Sequence, residues 1–140
     1  MTLEEAIQQR WNGDTALTSL VPTERVVTSF APAETPRPYV VVERQKSKPA
    51  LRTSGGLRAA AVELVFRVAA TGYDEAAAIA AAIAAQFDGV DFDAGEGYVA
   101  AMRRGEELRK GGPNGAGSRS DGSHGTADWE LTYDITLCVH

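Results

Sequence analysis

This sequence is short of the residues on which most enzyme and metal chemistry depends. Its 140 residues contain one cysteine, Cys138, so a disulfide within the chain and a CxxC-type zinc site are both excluded. Cys138 stands in an alternating apolar stretch and reads as a small, buried or half-buried hydrophobe. No electropositive helix start or histidine precedes it to stabilise a thiolate. There are two histidines, His124 in a glycine-rich stretch and His140 at the end. Neither place promises the held geometry that a metal ligand or a general base requires, and both read as solvated. The motifs GxSxG, HExxH and GxxxxGK[ST] are absent. No run approaches the roughly 20 apolar residues that cross a bilayer; residues 76–85 are mostly alanine and too short. The opening Thr2, Glu4 and Glu5 are the opposite of a basic signal-peptide start.

What is present suits one domain, residues 1–140. A chain of this size buries roughly 70% of the surface its unfolded form exposes, enough for a core without disulfides or metal. Apolar residues make up 44% of the chain, which argues against wholesale disorder. The net charge of −5 argues against a general coat for nucleic acid.

The apolar spacing then sets an order of elements. Thr2 and Glu5 have capping-box spacing, and Leu3, Ile7 and Trp11 recur on one helical face. Gly13 ends that helix, and Asp14 can cap a short second one carrying Leu17, Leu20 and Val21. Arg25 to Phe30 predicts a short strand, followed by a proline-rich connector through Pro38. Tyr39 to Glu43 predicts a strand covered on both faces, and Leu57 to Ala69 a long one. The Ala-rich run from Glu75 to Phe87 predicts a helix capped by Asp74, with Ile79, Ile83 and Phe87 as its larger stripe. Gly97 to Leu108 and Asp128 to Val139 predict the last two strands. In the final one Trp129, Leu131, Tyr133, Ile135, Leu137 and Val139 alternate with polar residues. The expected fold is α+β: a mostly antiparallel sheet of about five strands packed with an N-terminal helix and the central Ala-rich helix.

Two charge features remain. Asp91, Asp93 and Glu96 begin like a calcium loop, but Gly95 stands where a third ligand belongs and the twelve-residue register fails. A solvated turn is the expectation there, with a metal-dependent hydrolase as the enzyme alternative it displaces. Residues 44–58 hold Arg44, Lys46, Lys48, Arg52 and Arg58 with no acid. They are read as a basic hairpin connector in a chain whose remainder carries −10. Such segregation suits an acidic surface on another copy or a partner. A nucleic-acid-binding module using Lys46, Lys48 and Arg52 is a second possibility, although no aromatic lies between Tyr39 and Phe66 to stack bases. Arg103, Arg104, Arg109 and Lys110 form a second basic group, diluted by Glu106 and Glu107. Arg109 to Thr126, rich in glycine with serine, asparagine and proline, predicts a long loop.

The helix pair ending Ala16-Leu17-Thr18-Ser19-Leu20-Val21, the proline-bearing connector, and Arg37-Pro38-Tyr39-Val40-Val41-Val42-Glu43 resemble the tail-terminator and tail-completion proteins of long, non-contractile-tailed phages and prophages. The long hairpin strand, Ala-rich helix and two closing strands extend that resemblance over nearly the whole chain. It implies a subunit of a six-membered ring that caps the tail tube at the head-proximal end of the virion, after assembly in the host cytoplasm. It also implies tail-tube and head–tail connector proteins as partners, DNA passing through without sequence-specific binding, and no catalytic residue, cofactor or membrane. Another head–tail connector or neck protein is the close alternative. The implied contact parts are the 44–58 and 109–126 loops, projecting from the domain. Arg44, Lys46, Lys48, Arg52, Arg58, Arg103, Arg104, Arg109 and Lys110 are the candidate contact residues.

Overall fold

The computed structural model describes residues 2–29, 35–52, 58–95, 97–111 and 126–139. Helix α1 (Leu3–Asn12) starts where the capping box places it. The Thr2 hydroxyl accepts the Glu5 N–H at 3.2 Å, and the Glu5 carboxylate accepts the Thr2 N–H at 3.1 Å. That second bond holds the Glu5 carboxyl below its ordinary range. Asp14 accepts the N–H groups of Ala16 and Leu17 and starts α2 (Thr15–Leu20). The buried Trp11 indole donates to the Val21 carbonyl at 2.9 Å and fastens the first helix to the end of the second.

A six-stranded sheet follows in the order β1-β2-β3-β6-β5-β4. Its strands are β1 (Val26–Thr28), β2 (Tyr39–Arg52), β3 (Arg58–Ala70), β4 (Phe92–Asp93), β5 (Tyr98–Gly111) and β6 (Ala127–Val139). Only β1 and β2 pair in parallel; the other neighbours are antiparallel. The sixth strand beyond the expected five is β4, whose two residues are too few to show any period.

Strand reaches into both expected loops. The basic stretch continues β2 to Arg52, which pairs with Arg58, leaving residues 53–57 outside the described set. Likewise β5 runs on to Gly111 opposite Ala127, and residues 112–125, His124 among them, lie outside the described residues, as does His140. Composition missed these extensions because cross-strand hydrogen bonds hold charged residues and Gly111 in line whatever their propensity. Helix α3 (Tyr73–Phe87) also begins earlier than expected, with Gly72 at the N-cap and no side-chain cap. Asp74, the expected cap, sits inside the first turn, while Glu75 folds back to accept the Thr71 N–H and hydroxyl at 2.8 and 2.9 Å.

All three helices cover one face of the sheet. Phe66 lies at the centre of the core, 6.4 Å from the Trp11 ring, 5.3 Å from Phe87 and 5.6 Å edge-on from Tyr133. Val62, Leu64 and Val68 of β3 and Trp129, Leu131, Ile135 and Leu137 of β6 complete that apolar face. The opposite face carries Glu63, Arg67, Glu130 and Asp134 and no helix among the described residues. The central strands, 13 residues each, are about 43 Å long. The described ends of the β2–β3 hairpin, Arg52 and Arg58, lie at one end of the sheet beside Val139. Gly111 and Ala127 of the β5–β6 hairpin lie at the other, beside Ala70.

Candidate assembly surface

The nine basic candidates fall into two groups that the sheet keeps apart: four on β2 with Arg58 at the start of β3, and four on β5, with β6 between β3 and β5. Three strand steps put β2 and β5 about 14 Å apart. Within the first group, Arg44 is half-buried on the helical side, and its guanidinium lies 2.9 Å from Glu4. That pair ties the start of α1 to β2. Lys46 is exposed on the open face, opposite Glu63, and the row continues through Asp134 to Arg103. Cations thus flank two acids across four strands; each outer pair favours the observed register, and the two acids facing one another, Glu63 and Asp134, oppose it. Lys48 pairs in register with Ala61, and Arg52 with Arg58 at the strand ends.

In the second group Glu107 is the organiser. It takes Arg104 at 2.5 Å and Arg109 at 2.9 Å, so the acid expected to dilute this patch binds it together. Arg109 also stacks 4.3 Å above the Trp129 ring and donates to the Tyr73 hydroxyl at 2.9 Å. It caps the aromatic pair Tyr73–Trp129, whose rings meet edge-on at 5.3 Å. The residues of this stack are distant in sequence and no local pattern announces them. The register between β5 and β6 puts Arg109 opposite Trp129, and the alternation of β6 alone gives no register. Lys110 pairs in register with Asp128.

Both outer strands leave long edges open. β1 covers β2 only at Val40–Val42, so from Glu43 to Arg52 that edge has no strand beyond it among the described residues. β4 covers β5 only at Tyr98 and Val99. Each open stretch is irregular: β2 shifts register between Arg44 and Lys46 and between Pro49 and Leu51, and β5 between Arg104 and Glu107. Bulges, a proline without an N–H, and charged side chains all oppose the addition of another strand. These edges therefore present side chains to a neighbour in preference to backbone.

On the open face Val41, Val65 and Ala69 are buried outside the main core. Arg67 lies among them, paired with Glu43 and 3.6 Å from Glu130, and Arg37 meets Asp128 at 2.8 Å. Arg37, Tyr39, Val41, Arg67, Asp128 and Glu130 line a shallow pocket there. On the helical side Tyr133 is buried and its hydroxyl has no hydrogen-bond partner among the described residues. Burial pushes its pKa up to about 12, with the nearby Asp88 adding to the rise and Arg104 opposing it.

The acidic residues weighed as a cation loop make local bonds. Asp91 accepts the Tyr98 hydroxyl, which raises the Tyr98 pKa, and Asp93 accepts the Gly95 N–H at 2.8 Å. Glu96 lies outside the described residues. Among the described residues no three His, Cys, Asp or Glu side chains converge on a metal position. Nor is any helix there long and apolar enough to cross a membrane. Cys138 is half-buried.

Comparison with known proteins completes the assignment. A chain from the virion of a native gene transfer agent (GTA) particle superposes with a TM-score of 0.71 at 19% identity, covering 98% of this chain and 95% of its own. At that identity the likeness is one of fold. No curated protein matches the sequence. The model of the family described as Tail completion protein gp17 matches residues 5–137. With nearly the whole chain matched and a mostly antiparallel sheet backed by helices on one face, the chain belongs to the Tail completion protein gp17 family, structural components of the virion tail.

Proposed function

We propose that this chain forms a closed, six-membered ring that caps the completed tail tube and offers the surface on which the head is joined. The observation that carries this is the opposed placement of its two long hairpins. Arg52 and Arg58 stand at one end of the sheet, Gly111 and Ala127 at the other. A subunit built this way can meet a tube on one side of a ring and a connector on the other. The irregular, charged lateral edges are left for neighbouring copies. The basic residues of β2 and β5, with Arg58 of β3, are the contact residues in this proposal, and DNA passes through the ring without being read by sequence. The protein works by assembly and catalyses no reaction.

Absolute mass in solution, by light scattering with and without tail tubes, tests the proposal. The expected result is a single species near six times the 14.9 kDa chain mass, with a ring at the head-proximal end of tails in electron micrographs. A chain that remains monomeric at every concentration and binds only the portal side would make it a connector or neck protein instead.

A further inference from the structure

Charge is segregated along this chain more sharply than the basic stretch alone reveals. Residues 44–58 hold five cations and no acid, whereas residues 68–102 hold six acids and no lysine or arginine. The sheet carries these segments to opposite lateral edges. On the β2 edge Gln45, Lys46 and Ser47 are exposed, and no strand lies beyond them among the described residues. On the β4 edge Asp88, Asp91 and Asp93 are exposed. The cross-strand register then fixes their heights. Asp93, Tyr98, Cys138, Ala59 and Leu51 form one row, and Phe92, Val99, Leu137, Ala60 and Pro49 the next. Asp93 is thus level with Leu51. At the other end of the corner Asp88 accepts the Arg104 N–H at 3.0 Å, beside Arg103, whose row runs through Asp134 and Glu63 to Lys46. The acidic corner and the basic edge therefore overlap in level, with Asp88 nearest the height of Lys46, four strand steps or about 19 Å apart.

From this placement we infer that the β2 edge around Lys46 docks on the Asp88–Asp93 corner of a second copy of this chain. Four intervening strand steps prevent the two edges from meeting within one copy. Because they overlap in height, each added copy can turn about an axis without sliding along the strands, which is the condition for closure in place of a growing helix. The bulges and Pro49 on β2 bar strand addition, so the contact is made by side chains. Of the charges that would oppose it, Arg103 on β5 stays exposed, and three others are engaged within the chain. Glu43 binds Arg67, Arg10 stacks 4.6 Å over Phe92, and Arg104 binds Glu107. The inference rests on the ring proposed above and supplies its subunit contact.

Charge exchange tests it on the full chain. Lys46→Glu or Asp91→Lys alone is expected to raise the concentration of half-assembly, read by light scattering, about tenfold or more. Combining them restores the wild-type midpoint, because the pair re-forms with its signs exchanged. Asp74→Lys makes the same charge change at the far end of α3 and leaves the midpoint within about twofold. Circular dichroism checks that each variant is folded. Should a reversal unfold the chain, Lys46→Gln and Asp91→Asn carry the same expectation at smaller size. A wild type that assembles while both reversals leave its midpoint unchanged overturns this contact and leaves the ring standing. A wild type that stays monomeric alone and on tail tubes overturns the ring and the contact with it.

Discussion

Tyr133 is placed by its neighbours in a way that its own residue type does not announce. Its ring packs edge-on against Phe66, and its hydroxyl is buried without a hydrogen-bond partner among the described residues. Removing that hydroxyl forfeits no bond, so Tyr133→Phe is expected to change stability at neutral pH by less than about 1 kcal/mol. The alkaline range is where the two chains part. The folded pKa, about 12, lies above the ordinary 10.0, so the folded state holds its proton where the unfolded state has released it. The associated stability is complete below about pH 10 and is lost as pH rises through about 12. Urea unfolding across that window should show a shallower decline in Tyr133→Phe than in the wild type. Identical alkaline slopes would contradict the burial. The alternation of β6 makes Tyr133 legible as an inward residue. The absence of a partner for its hydroxyl comes from α3 and β5, which no local pattern joins to it.

Among the elements, the short link from β4 into β5 is the most constrained. Gly97 stands there, and a Cβ on it would lie 2.6 Å from the Cys138 carbonyl oxygen and 3.2 Å from the Leu137 side chain. The first of these is backbone of the neighbouring strand, so the strands themselves would have to part. Gly97→Ala is therefore expected to cost about 1–3 kcal/mol, measured as a shift in the urea midpoint. Gly72→Ala is the comparison, because nothing lies within 4 Å of its added Cβ; its cost should stay below about 1 kcal/mol. Equal losses at the two positions would show that the close approach at Gly97 is relieved cheaply. The helices were largely legible from caps and apolar spacing, as Thr2, Asp14, Ile7 and Trp11 show. Strand ends were not. β2 and β5 run on through charged, proline- and glycine-bearing sequence because their partners supply the hydrogen bonds.

For the whole molecule, a ring held by charge should respond to salt. The Debye length falls from about 10 Å at 0.1 M to about 3 Å at 1 M. Sedimentation at rising ionic strength is therefore expected to show the half-assembly concentration climbing at least about tenfold between low and high salt. Assembly that is indifferent to salt, or strengthened by it, would point to an apolar contact such as the exposed Leu108 or Tyr98. The candidate basic residues were legible one by one. Their grouping was not, because cross-strand register decides which residues share a row and which edge is left uncovered.

By itself the sequence determined the caps of α1 and α2, the inward face of β6, the α+β class and the run of cations from Arg44 to Arg58. Each of these depends on residues near one another along the chain, where periodicity and propensity act. Only the tertiary structure decided that Arg44 to Arg52 continues a strand, that Glu107 gathers Arg104 and Arg109, and that Asp88 stands near the level of Lys46 across the sheet. Those outcomes depend on hydrogen bonds between strands far apart in sequence. Scarcity of catalytic residues excluded much chemistry at the outset; the sheet turned what remained, unlike charge on opposite edges, into a surface suited to assembly.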